Sequence, residues 1–468
     1  MSILYLSAAH KSSGKTTVTL GLGRALRRRG LSVQPFKKGP DYIDPIWHSR
    51  AAGRACYNLD FHMMTAAEIE ALVARHASDA DISLVEGNMG LYDGIDVEGG
   101  NSNAALARLL GAPVVLVIDC VGMTRGVAPL LLGYQAFDPK IRIAGVILNK
   151  IAGQRHEEKL RAVIARYTDL PVLGALHRDP RLVIAERHLG LIPGNEAEAA
   201  DASIDTIADI ITQHVNLDTL LALAGPLKTA KTDKHDAPPP LPDGSGLRIG
   251  YALDRAFGFY YQEDLDLLRD SGVHLLPLDT LRDRRLPRLD GLILGGGFPE
   301  MFIDELSGNP ALRQDIRAAI EAGLPVHAEC GGLMYLARSI RWGERSGEMI
   351  GLVPGDAVMG ERPVGRGYAS LRPSATGGDL IDPAVAGEVI HAHEFHHSRL
   401  ENLPAGLTYA YQVERGHGID GAHDGFRYKN LVAAYCHRRG AGRHGWIAPF
   451  LQRVRQHRHT LSTTPLAA

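Results

Sequence analysis

Residues 7–19 read SAAHKSSGKTTVT and directly follow a short apolar run at residues 3–6. A strand that turns through Gly-Lys-Thr into a helix is the context of a phosphate-binding loop, because the backbone N–H groups and the helix N-terminus attract anionic oxygens. The complete G-x-x-x-x-G-K-[ST] pattern needs a glycine where this chain has Ala9. A plain strand, turn and helix is therefore the alternative. We favour a nucleotide site, in which Lys15 reaches the terminal phosphates and Thr16 holds Mg²⁺.

The alternation of strand and helix continues along the N-terminal half of the chain. Short apolar runs alternate with segments of helical spacing up to about residue 215, which indicates a parallel sheet covered on both faces. The predicted strands are residues 3–6, 32–36, 82–86, 114–119 and 143–148, and the predicted helices include 18–29 and 66–75.

A second region of the same kind follows a linker. Residues 228–246, KTAKTDKHDAPPPLPDGSG, are rich in Pro, Gly, Asp and Lys, which is typical of linkers. Strand and helix then alternate again, with predicted elements at residues 247–252, 261–270, 291–294 and 325–328. We predict two α/β domains, at residues 1–225 and 247–455, with a linker over 226–246 and a polar tail over 456–468.

Length and composition are those of a globular protein with several domains. The chain has 468 residues, and single cores stop growing at roughly 250–300 residues. A formal net charge of −2 gives no bulk attraction to nucleic acid or an anionic membrane. No apolar run approaches the roughly 18–20 residues of a membrane span. No basic region precedes the first predicted strand, so we do not expect a signal peptide. We expect a cytoplasmic protein whose four scattered cysteines are free thiols: Cys56, Cys120, Cys330 and Cys436.

Carboxylates follow two further predicted strands. Residues 37–45, KKGPDYIDP, place lysines beside Asp41 and Asp44 at the carboxyl end of a strand, where ligands of open α/β sheets bind. Residues 86–94, EGNMGLYDG, place Glu86 where a Walker-B-like carboxylate belongs. Mg²⁺ prefers one or two carboxylates together with phosphate oxygens. Any one of these acids alone could instead cap a turn or a helix, but three segments at strand ends favour a site.

An asparagine closes the next predicted strand. Asn149 either contacts a nucleotide base or serves only the turn chemistry that asparagine favours. The sequence leaves both alternatives open.

A candidate nucleophile lies in the second region. Residues 327–333, HAECGGL, close a short apolar strand at 324–326. Cys330 then precedes two glycines and a helix-like run, which is the arrangement of a nucleophile elbow. A helix N-terminus lowers the pKa of a thiol and makes the thiolate available. An inert buried cysteine is the alternative, but the Gly-Gly turn favours a nucleophile.

A thiol nucleophile also needs a base and an oxyanion hole. His437 ends another strand-like run, in AAYCHRRG, and is the best candidate base among 21 histidines. Backbone N–H groups of the glycine run 295–297 would bind an oxyanion. Cys436 is a rival nucleophile, but it lacks a glycine turn.

One motif points to a different chemistry. Residues 393–397, HEFHH, fit the H-E-x-x-H pattern of zinc proteases. That pattern requires a helix so that both histidines share one face, whereas these residues follow a strand-like run. We do not expect a metalloprotease.

These segments together resemble the cobyrinate a,c-diamide synthase family, in order and over nearly the whole chain. KGPDYIDP and EGxMGLYDG are highly specific signatures, and the family's loop also tolerates missing glycines. The resemblance is carried by SSGKTT, KKGPDYIDP, EGNMGLYDG, ERHLGL at 186–191, DRAFGFYY at 254–261, GGGFPE, HAECGG and HEFHHS.

The resemblance implies an enzyme in two parts and a possible homodimer. The N-terminal domain is similar to the dethiobiotin-synthetase type of P-loop fold and would phosphorylate a tetrapyrrole carboxylate with ATP and Mg²⁺. The C-terminal domain is similar to class I glutamine amidotransferases, in which the cysteine attacks the amide of L-glutamine and ammonia is released. Ammonia would then displace phosphate from an acyl phosphate. The implied acceptor is cobyrinic acid, at its a and c acetate carboxylates.

The resemblance also implies roles for individual residues. Nucleotide binding would fall to Ser13, Gly14, Lys15, Thr16, Thr17 and Asn149. The synthetase centre would use the catalytic acids Asp41, Asp44 and Glu86, the metal ligands Thr16, Asp41 and Glu86, and the substrate contacts Lys38 and Tyr42. The glutaminase would use catalytic Cys330 and His437, the oxyanion and glutamine region Gly296, Gly297 and Gly331, and supporting His393 and His396.

The chain departs from the family's pattern near its end. Relatives often carry a second histidine two residues after the base, and triad amidotransferases carry a glutamate there, but this chain has Arg439. We therefore expect a Cys–His dyad. The ending HRRGAGRHGW is similar to that of relatives associated with amidation of sirohaem, so sirohaem and nickel sirohydrochlorin are alternative acceptors. A nucleotide-dependent regulator without catalysis is an alternative of another class, disfavoured because the residues of both sites are present.

Overall fold

The computed structural model describes residues 1–184, 186–187, 190–191, 200–228, 241–377 and 385–463. The chain divides into two compact units, Met1–Asp236 and Ala237–Ala468. Most of the predicted linker, the end of the predicted tail and part of the ERHLGL segment lie outside the described residues. The predicted domain boundaries therefore stay predictions.

The N-terminal unit alternates strands and helices as expected for an α/β domain. Its strands are β1 (Ser2–Ala8), β2 (Val33–Lys38), β3 (Tyr57–Leu59), β4 (Ile82–Glu86), β5 (Val114–Asp119), β6 (Ile143–Ile151), β7 (Val172–His177), β8 (Glu186–Arg187), β9 (Gly190–Leu191) and β10 (Gly225–Pro226). Its helices are α1 (Lys15–Arg28), α2 (Ile43–Ala52), α3 (Ala66–Ala77), α4 (Asn103–Leu110), α5 (Val127–Phe137), α6 (Gln154–Tyr167), α7 (Ala200–His214) and α8 (Leu217–Leu223), with a 3₁₀ turn at Pro180–Leu182.

A parallel sheet forms the centre of this unit, which confirms the predicted fold class. The strand order is β3-β2-β4-β1-β5-β6-β7, and β10 pairs antiparallel with β1. The strands are buried on both faces because helices cover the sheet on each side. Since β2, β4 and β1 are neighbours, the loops that follow them emerge side by side at the carboxyl edge of the sheet.

Helix α1 packs closely against α7 at a glycine. A Cβ added to Gly21 would lie 2.4 Å from Cγ1 of Ile211. This close approach fixes the helix that begins at the phosphate-binding loop. The second predicted strand is also longer than expected, since β2 continues to Lys38. The loop at the carboxyl edge therefore begins later than the sequence pattern suggested.

The C-terminal unit contains more antiparallel pairing. Its strands are β11 (Arg248–Ala252), β12 (Phe257–Phe259), β13 (His274–Leu278), β14 (Gly291–Leu294), β15 (Gly296–Gly297), β16 (Val326–Glu329), β17 (Ala337–Trp342), β18 (Arg345–Glu348), β19 (Val353–Met359), β20 (Gly365–Pro373), β21 (Ile390–His396), β22 (Ser398–Glu401), β23 (Tyr409–Arg415), β24 (His423–Tyr428) and β25 (Leu431–Ala434). Its helices are α9 (Gln262–Asp270), α10 (Ile303–Ser307), α11 (Pro310–Glu321), α12 (Gly331–Leu336) and α13 (Ile447–Thr463), with a 3₁₀ turn at Pro299–Phe302.

One large sheet organises this unit. Its order is β13-β11-β14-β16-β25-β24-β23-β20-β21, parallel from β13 to β25 and antiparallel beyond. A bridge between His393 and His437 also joins β21 to the segment that follows β25. Because β16 and β25 are parallel neighbours, the residues after both strands meet at one edge.

No helix in the described part of the chain has the length and apolar character needed to cross a membrane. The four cysteines are all buried and free.

Candidate active sites

The phosphate-binding loop joins β1 to α1. Two of its residues have left-handed backbone conformations, Ser12 with φ 64° and Gly14 with φ 90°, whereas Ala9 lies outside that region. A left-handed conformation costs a residue with a side chain about 1–2 kcal/mol. A glycine would therefore be easier at position 12, but the loop does not require one at position 9. The carbonyl oxygen of Ala9 accepts a hydrogen bond of 2.7 Å from the hydroxyl of Tyr134.

Asn149 supports this loop from the end of β6. Its Nδ2 donates to the carbonyl oxygen of Ser13 at 2.9 Å, and a Cβ added to Gly14 would lie 2.2 Å from that nitrogen. Its Oδ1 accepts the backbone N–H of Lys150 at 2.9 Å. The amide therefore holds the loop backbone, and contact with a base stays a prediction.

A compact charged cluster lies beside the start of α1. Oγ1 of Thr16 donates to Oε1 of Glu86 at 2.8 Å and lies 3.4 Å from Oδ2 of Asp44. Nζ of Lys37 lies 2.6 Å from both of those carboxylate oxygens. Nε2 of His48 lies 2.6 Å from Oε2 of Glu86. The three segments predicted to converge at the sheet edge do so.

The cluster keeps Lys37 and Glu86 charged. Burial alone would lower the pKa of Lys37, but Asp44 and Glu86 outweigh burial and hold it well above its ordinary value. Burial alone would raise the pKa of Glu86, but Lys37 and His48 hold it well below its ordinary value. Lys15 differs, because burial lowers its pKa to about 8 and Glu86 offsets this only in part. In the described residues no carboxylate lies within 4 Å of its ammonium, so Lys15 suits an anionic ligand such as a phosphate.

The carboxylates of Asp41 and Asp44 have different contacts. Oδ1 of Asp41 accepts the backbone N–H groups of Ile43 at 3.0 Å and Asp44 at 2.9 Å, so this carboxylate caps the start of α2. Burial and the nearby Asp44 raise its pKa to about 6. Asp44, rather than Asp41, lies next to Thr16. The capping alternative fits the contacts of Asp41, and its role as a metal ligand stays a prediction.

Sequence reasoning missed Lys37 and selected its neighbour. Nζ of Lys38 donates to Oδ1 of Asn88 at 3.3 Å, away from the cluster, because successive side chains of a strand point to opposite faces. Lys37 pairs in register with Glu86 across β2 and β4. Tyr42 is buried at the beginning of α2.

The oxygen atoms of the cluster fit a magnesium ion. A hydroxyl and two carboxylates, from Thr16, Asp44 and Glu86, form the donor set that Mg²⁺ prefers when phosphate oxygens complete its coordination. Across the described ranges, no three His, Cys, Asp or Glu side chains form a group that could hold a metal by itself. The fit therefore depends on phosphate oxygens from a bound nucleotide.

Cys330 lies on a sharp turn between β16 and α12. Its backbone has φ 50° and ψ −104°, which is unusual for a residue with a side chain. A Cβ added to Gly332 would lie 2.1 Å from the carbonyl oxygen of Leu294, and one added to Gly331 would lie 3.0 Å from the nitrogen of Gly297. The two glycines thus allow the turn to pack against the loop after β14. This is the predicted geometry of a nucleophile elbow.

His437 faces this cysteine. It hydrogen-bonds to the side chain of Cys330, and its Nδ1 lies 3.2 Å from Oε2 of Glu329. Burial would lower the pKa of His437, but the interactions with Cys330 and Glu329 raise it to about 10. The pair predicted from two distant segments is therefore brought together.

The expected dyad is incomplete, because Glu329 is a third member of the cluster. Arg439, at the position where triad enzymes carry an acid, instead pairs with Glu263 at 2.7 and 2.8 Å. The acid beside His437 comes from the residue directly before the nucleophile. The signal was present in HAECGG, where a histidine and a glutamate two residues apart share one face of β16.

The glycine run lies next to the cysteine and histidine. A Cβ added to Gly296 would lie 2.7 Å from Cε1 of His437. The backbone N–H of Gly295 donates to the hydroxyl of Tyr260 at 3.0 Å, so this group is already used. Gly296 and Gly297 form β15, which pairs antiparallel with β12, and their role in binding an oxyanion stays a prediction.

His393 and His396 lie in strand β21 and His397 directly follows it, so the helix that a zinc protease needs is absent at this motif. His393 and His437 exchange backbone hydrogen bonds of 3.0 and 2.7 Å, and their ring centroids are 5.9 Å apart. His396 lies in a different environment, stacked on Tyr435 at 3.9 Å, with Nδ1 against the carbonyl oxygen of Ser398. Only His393 is next to the base.

Cys436 lies among carboxylates. Its backbone N–H donates to Oδ2 of Asp424 at 2.9 Å, and its sulfur lies 3.8 Å from Oε2 of Glu394. Burial, Asp424 and Glu394 together hold its pKa well above the ordinary value. This environment disfavours a thiolate at Cys436.

Comparison with known proteins gives consistent matches along the chain. A family model described as CobQ/CobB/MinD/ParA nucleotide binding domain matches residues 8–191, and one described as CobB/CobQ-like glutamine amidotransferase domain matches residues 248–443. Proteins named cobyrinate a,c-diamide synthase are 46% identical in Magnetococcus marinus, over 98% of both chains, and 41% identical in Listeria monocytogenes, over 93% of this chain and 96% of the relative. The relative of that name in Methanosarcina barkeri is 37% identical over 97% of this chain and 96% of its own length.

Proposed function

Since the chain belongs to the cobyrinate a,c-diamide synthase family and is a glutamine-dependent amidotransferase of the ligase class, we propose that it amidates the a and c acetate carboxylates of cobyrinic acid. The supporting observation is that one chain holds two sites of different chemistry. A phosphate-binding loop with a lysine–carboxylate cluster suits activation of a carboxylate by ATP. A cysteine on a strained turn beside a buried histidine suits release of ammonia from glutamine.

The glutaminase half begins with Cys330. Its sulfur attacks the side-chain amide carbon of glutamine, and His437 takes the thiol proton and delivers it to the departing ammonia. The oxyanion faces the N–H groups of Gly296 and Gly297. Water then cleaves the thioester to give glutamate and the free thiol. The raised pKa of His437 favours the imidazolium that must protonate the leaving group.

The synthetase half makes the acceptor reactive. A carboxylate is a poor electrophile, so transfer of the terminal phosphoryl group of ATP converts it to an acyl phosphate and releases ADP. Ammonia attacks the acyl carbon, the amide forms and phosphate leaves. Because ammonia is mostly protonated at neutral pH, its release by the same enzyme supplies the reactive form.

Charged side chains position both anions. Lys15 would bind the terminal phosphates, and Lys37 supplies a positive charge where the acceptor carboxylate and the phosphoryl group approach Asp44 and Glu86. Thr16, Asp44 and Glu86 would hold Mg²⁺, which when bound offsets the negative charge of the phosphates.

Mass spectrometry tests the acceptor. The purified protein is incubated with Mg-ATP, glutamine and, separately, cobyrinic acid, sirohaem or nickel sirohydrochlorin. We expect two carboxyl-to-amide changes on cobyrinic acid, with ADP released. Amidation of sirohaem or nickel sirohydrochlorin alone would keep the chemistry and change the acceptor. Nucleotide binding without a product from any of them would favour a non-catalytic regulator.

Isotope transfer tests the intermediate. With ¹⁸O in the acceptor carboxylates, an acyl phosphate requires one labelled oxygen to appear in inorganic phosphate for each amide formed. Unlabelled phosphate together with amide formation would contradict this route.

A further inference from the structure

Glu329 is the last residue of β16 and directly precedes the nucleophile. Its two carboxylate oxygens have different partners. Oε2 lies 3.2 Å from Nδ1 of His437, whereas Oε1 lies 3.0 Å from Nε2 of His327 and accepts the backbone N–H of Arg438 at 3.0 Å. A single buried carboxylate therefore connects two histidines and the backbone of the segment that carries the base.

The fold explains why these groups meet. His327 and Glu329 are two residues apart in a strand, so their side chains share one face. Glu329 pairs in register with Ala434 of β25, three residues before His437. The ring of His327 stacks on Trp446 with centroids 4.0 Å apart and planes 6° apart. Packing thus fixes His327, and His327 fixes one oxygen of the carboxylate.

We propose that Glu329 is the positioning residue of the glutaminase site and that His327 holds it in place. The inference rests on the proposed roles of Cys330 and His437 in glutamine hydrolysis. A carboxylate is only an acceptor, so it requires the proton of neutral His437 to be on Nδ1. Nε2 is then free to take the thiol proton. The same carboxylate stabilises the imidazolium after transfer, as the aspartate does in serine triads.

The electrostatic environment agrees with this role. Burial would raise the pKa of Glu329, but His327 and His437 lower it to about 2, so it is a carboxylate at neutral pH. Burial lowers the pKa of His327 against the pull of Glu329, which favours a neutral donor there. Cys330 and His393 also lie beside His437. Of these three neighbours Glu329 is the carboxylate, so it supplies a buried negative charge next to the imidazole.

The Glu329→Gln substitution tests the tautomer directly. The N–H of Arg438 can only donate, so the amide oxygen must occupy the position of Oε1. The amide nitrogen then faces Nδ1 of His437 and donates to it. This forces the proton of neutral His437 onto Nε2, which can no longer accept from Cys330.

The expected result is a loss confined to the glutamine reaction. The kcat for glutamine hydrolysis should fall by about 10²–10⁴-fold, the range of acid–base and tautomer effects, with little change in KM. Amidation with added ammonia should remain at the wild-type rate. The pH at which activity declines on the alkaline side should be lower for Glu329→Gln than for the wild type. The reason is that the negative charge that helps to raise the pKa of His437 is gone. His327→Phe should keep the stacking on Trp446 and lower kcat by about 10-fold.

A matched control is Glu263→Gln, which changes the acid that pairs with Arg439 but contacts neither Cys330 nor His437. It should retain glutamine hydrolysis. Calorimetric binding of glutamine and the thermal transition of each variant report whether the unit is folded, and Glu329→Asp should recover part of the activity. Wild-type hydrolysis in Glu329→Gln, or equal losses in Glu329→Gln and Glu263→Gln, would overturn the inference. Failure of the wild type to use glutamine would instead overturn the proposed function.

Discussion

The two sites solve opposite electrostatic problems. In the N-terminal unit, Lys37 lies between the carboxylates of Asp44 and Glu86, so a cation is shared by two anions. In the C-terminal unit, Glu329 lies between two histidines, so an anion is shared by two bases. In the proposed function, the first arrangement would serve phosphates and an acceptor carboxylate, which are both negative. The second would move a proton to and from the neutral side-chain amide of glutamine.

Among the substitutions in the N-terminal unit, removal of Lys37 should lower the rate of amidation most. Lys37→Met leaves two nearly buried carboxylates without their cation, so amidation should fall by about 10²–10³-fold with either glutamine or ammonia as nitrogen source. Breaking such a buried pair should also destabilise the unit by about 3–5 kcal/mol. Initial rates with both nitrogen sources and thermal denaturation measure these effects.

The neighbouring lysine provides the control. Lys38→Met removes one hydrogen bond, to Asn88, on the other face of the strand and should lower the rate far less. Equal losses in the two variants would remove the distinction between the faces of β2.

Asn149 should have an intermediate effect. Asn149→Ala leaves the carbonyl oxygen of Ser13 without its donor, which costs about 1–2 kcal/mol and should raise the KM for ATP by about 10-fold. Since the contact supports the loop, GTP should be affected to the same extent. A change only in the preference for ATP over GTP would show that the side chain contacts the base.

Introducing a glycine at position 9 of the loop should have the smallest effect. Ala9→Gly should change the KM for ATP by no more than about 2-fold, because position 9 does not use a left-handed conformation. A marked improvement in ATP binding would mean that the loop needs a glycine there.

The sequence was sufficient for the features that local patterns encode. Apolar runs followed by glycine or acidic segments predicted the parallel sheet and the three segments that meet at its carboxyl edge. The Gly-Gly after Cys330 predicted the strained turn, because only a small residue can pack as closely as Gly332 does against Leu294. These signals depend on backbone geometry, which spacing reports directly.

The side chains that face one another across neighbouring strands could not be predicted from local patterns in the same way. Lys37 rather than Lys38 faces Glu86 because of the register between β2 and β4. Asp41 caps α2, whereas Asp44 one turn later reaches Thr16. Glu329 was not predicted because triad amidotransferases carry their acid two residues after the base, whereas here the acid directly precedes the nucleophile on a neighbouring strand. Each of these differences concerns which side chains face one another, and that depends on tertiary pairing.

The central claim is that one chain contains two separable activities, and Cys330→Ser tests it most directly. Cobyrinic acid, Mg-ATP and either glutamine or ammonia are supplied, and the products are identified by mass spectrometry. We predict that the variant makes no diamide with glutamine and retains the wild-type rate with ammonia. Diamide formed from glutamine by Cys330→Ser, or loss of the ammonia reaction as well, would contradict the account.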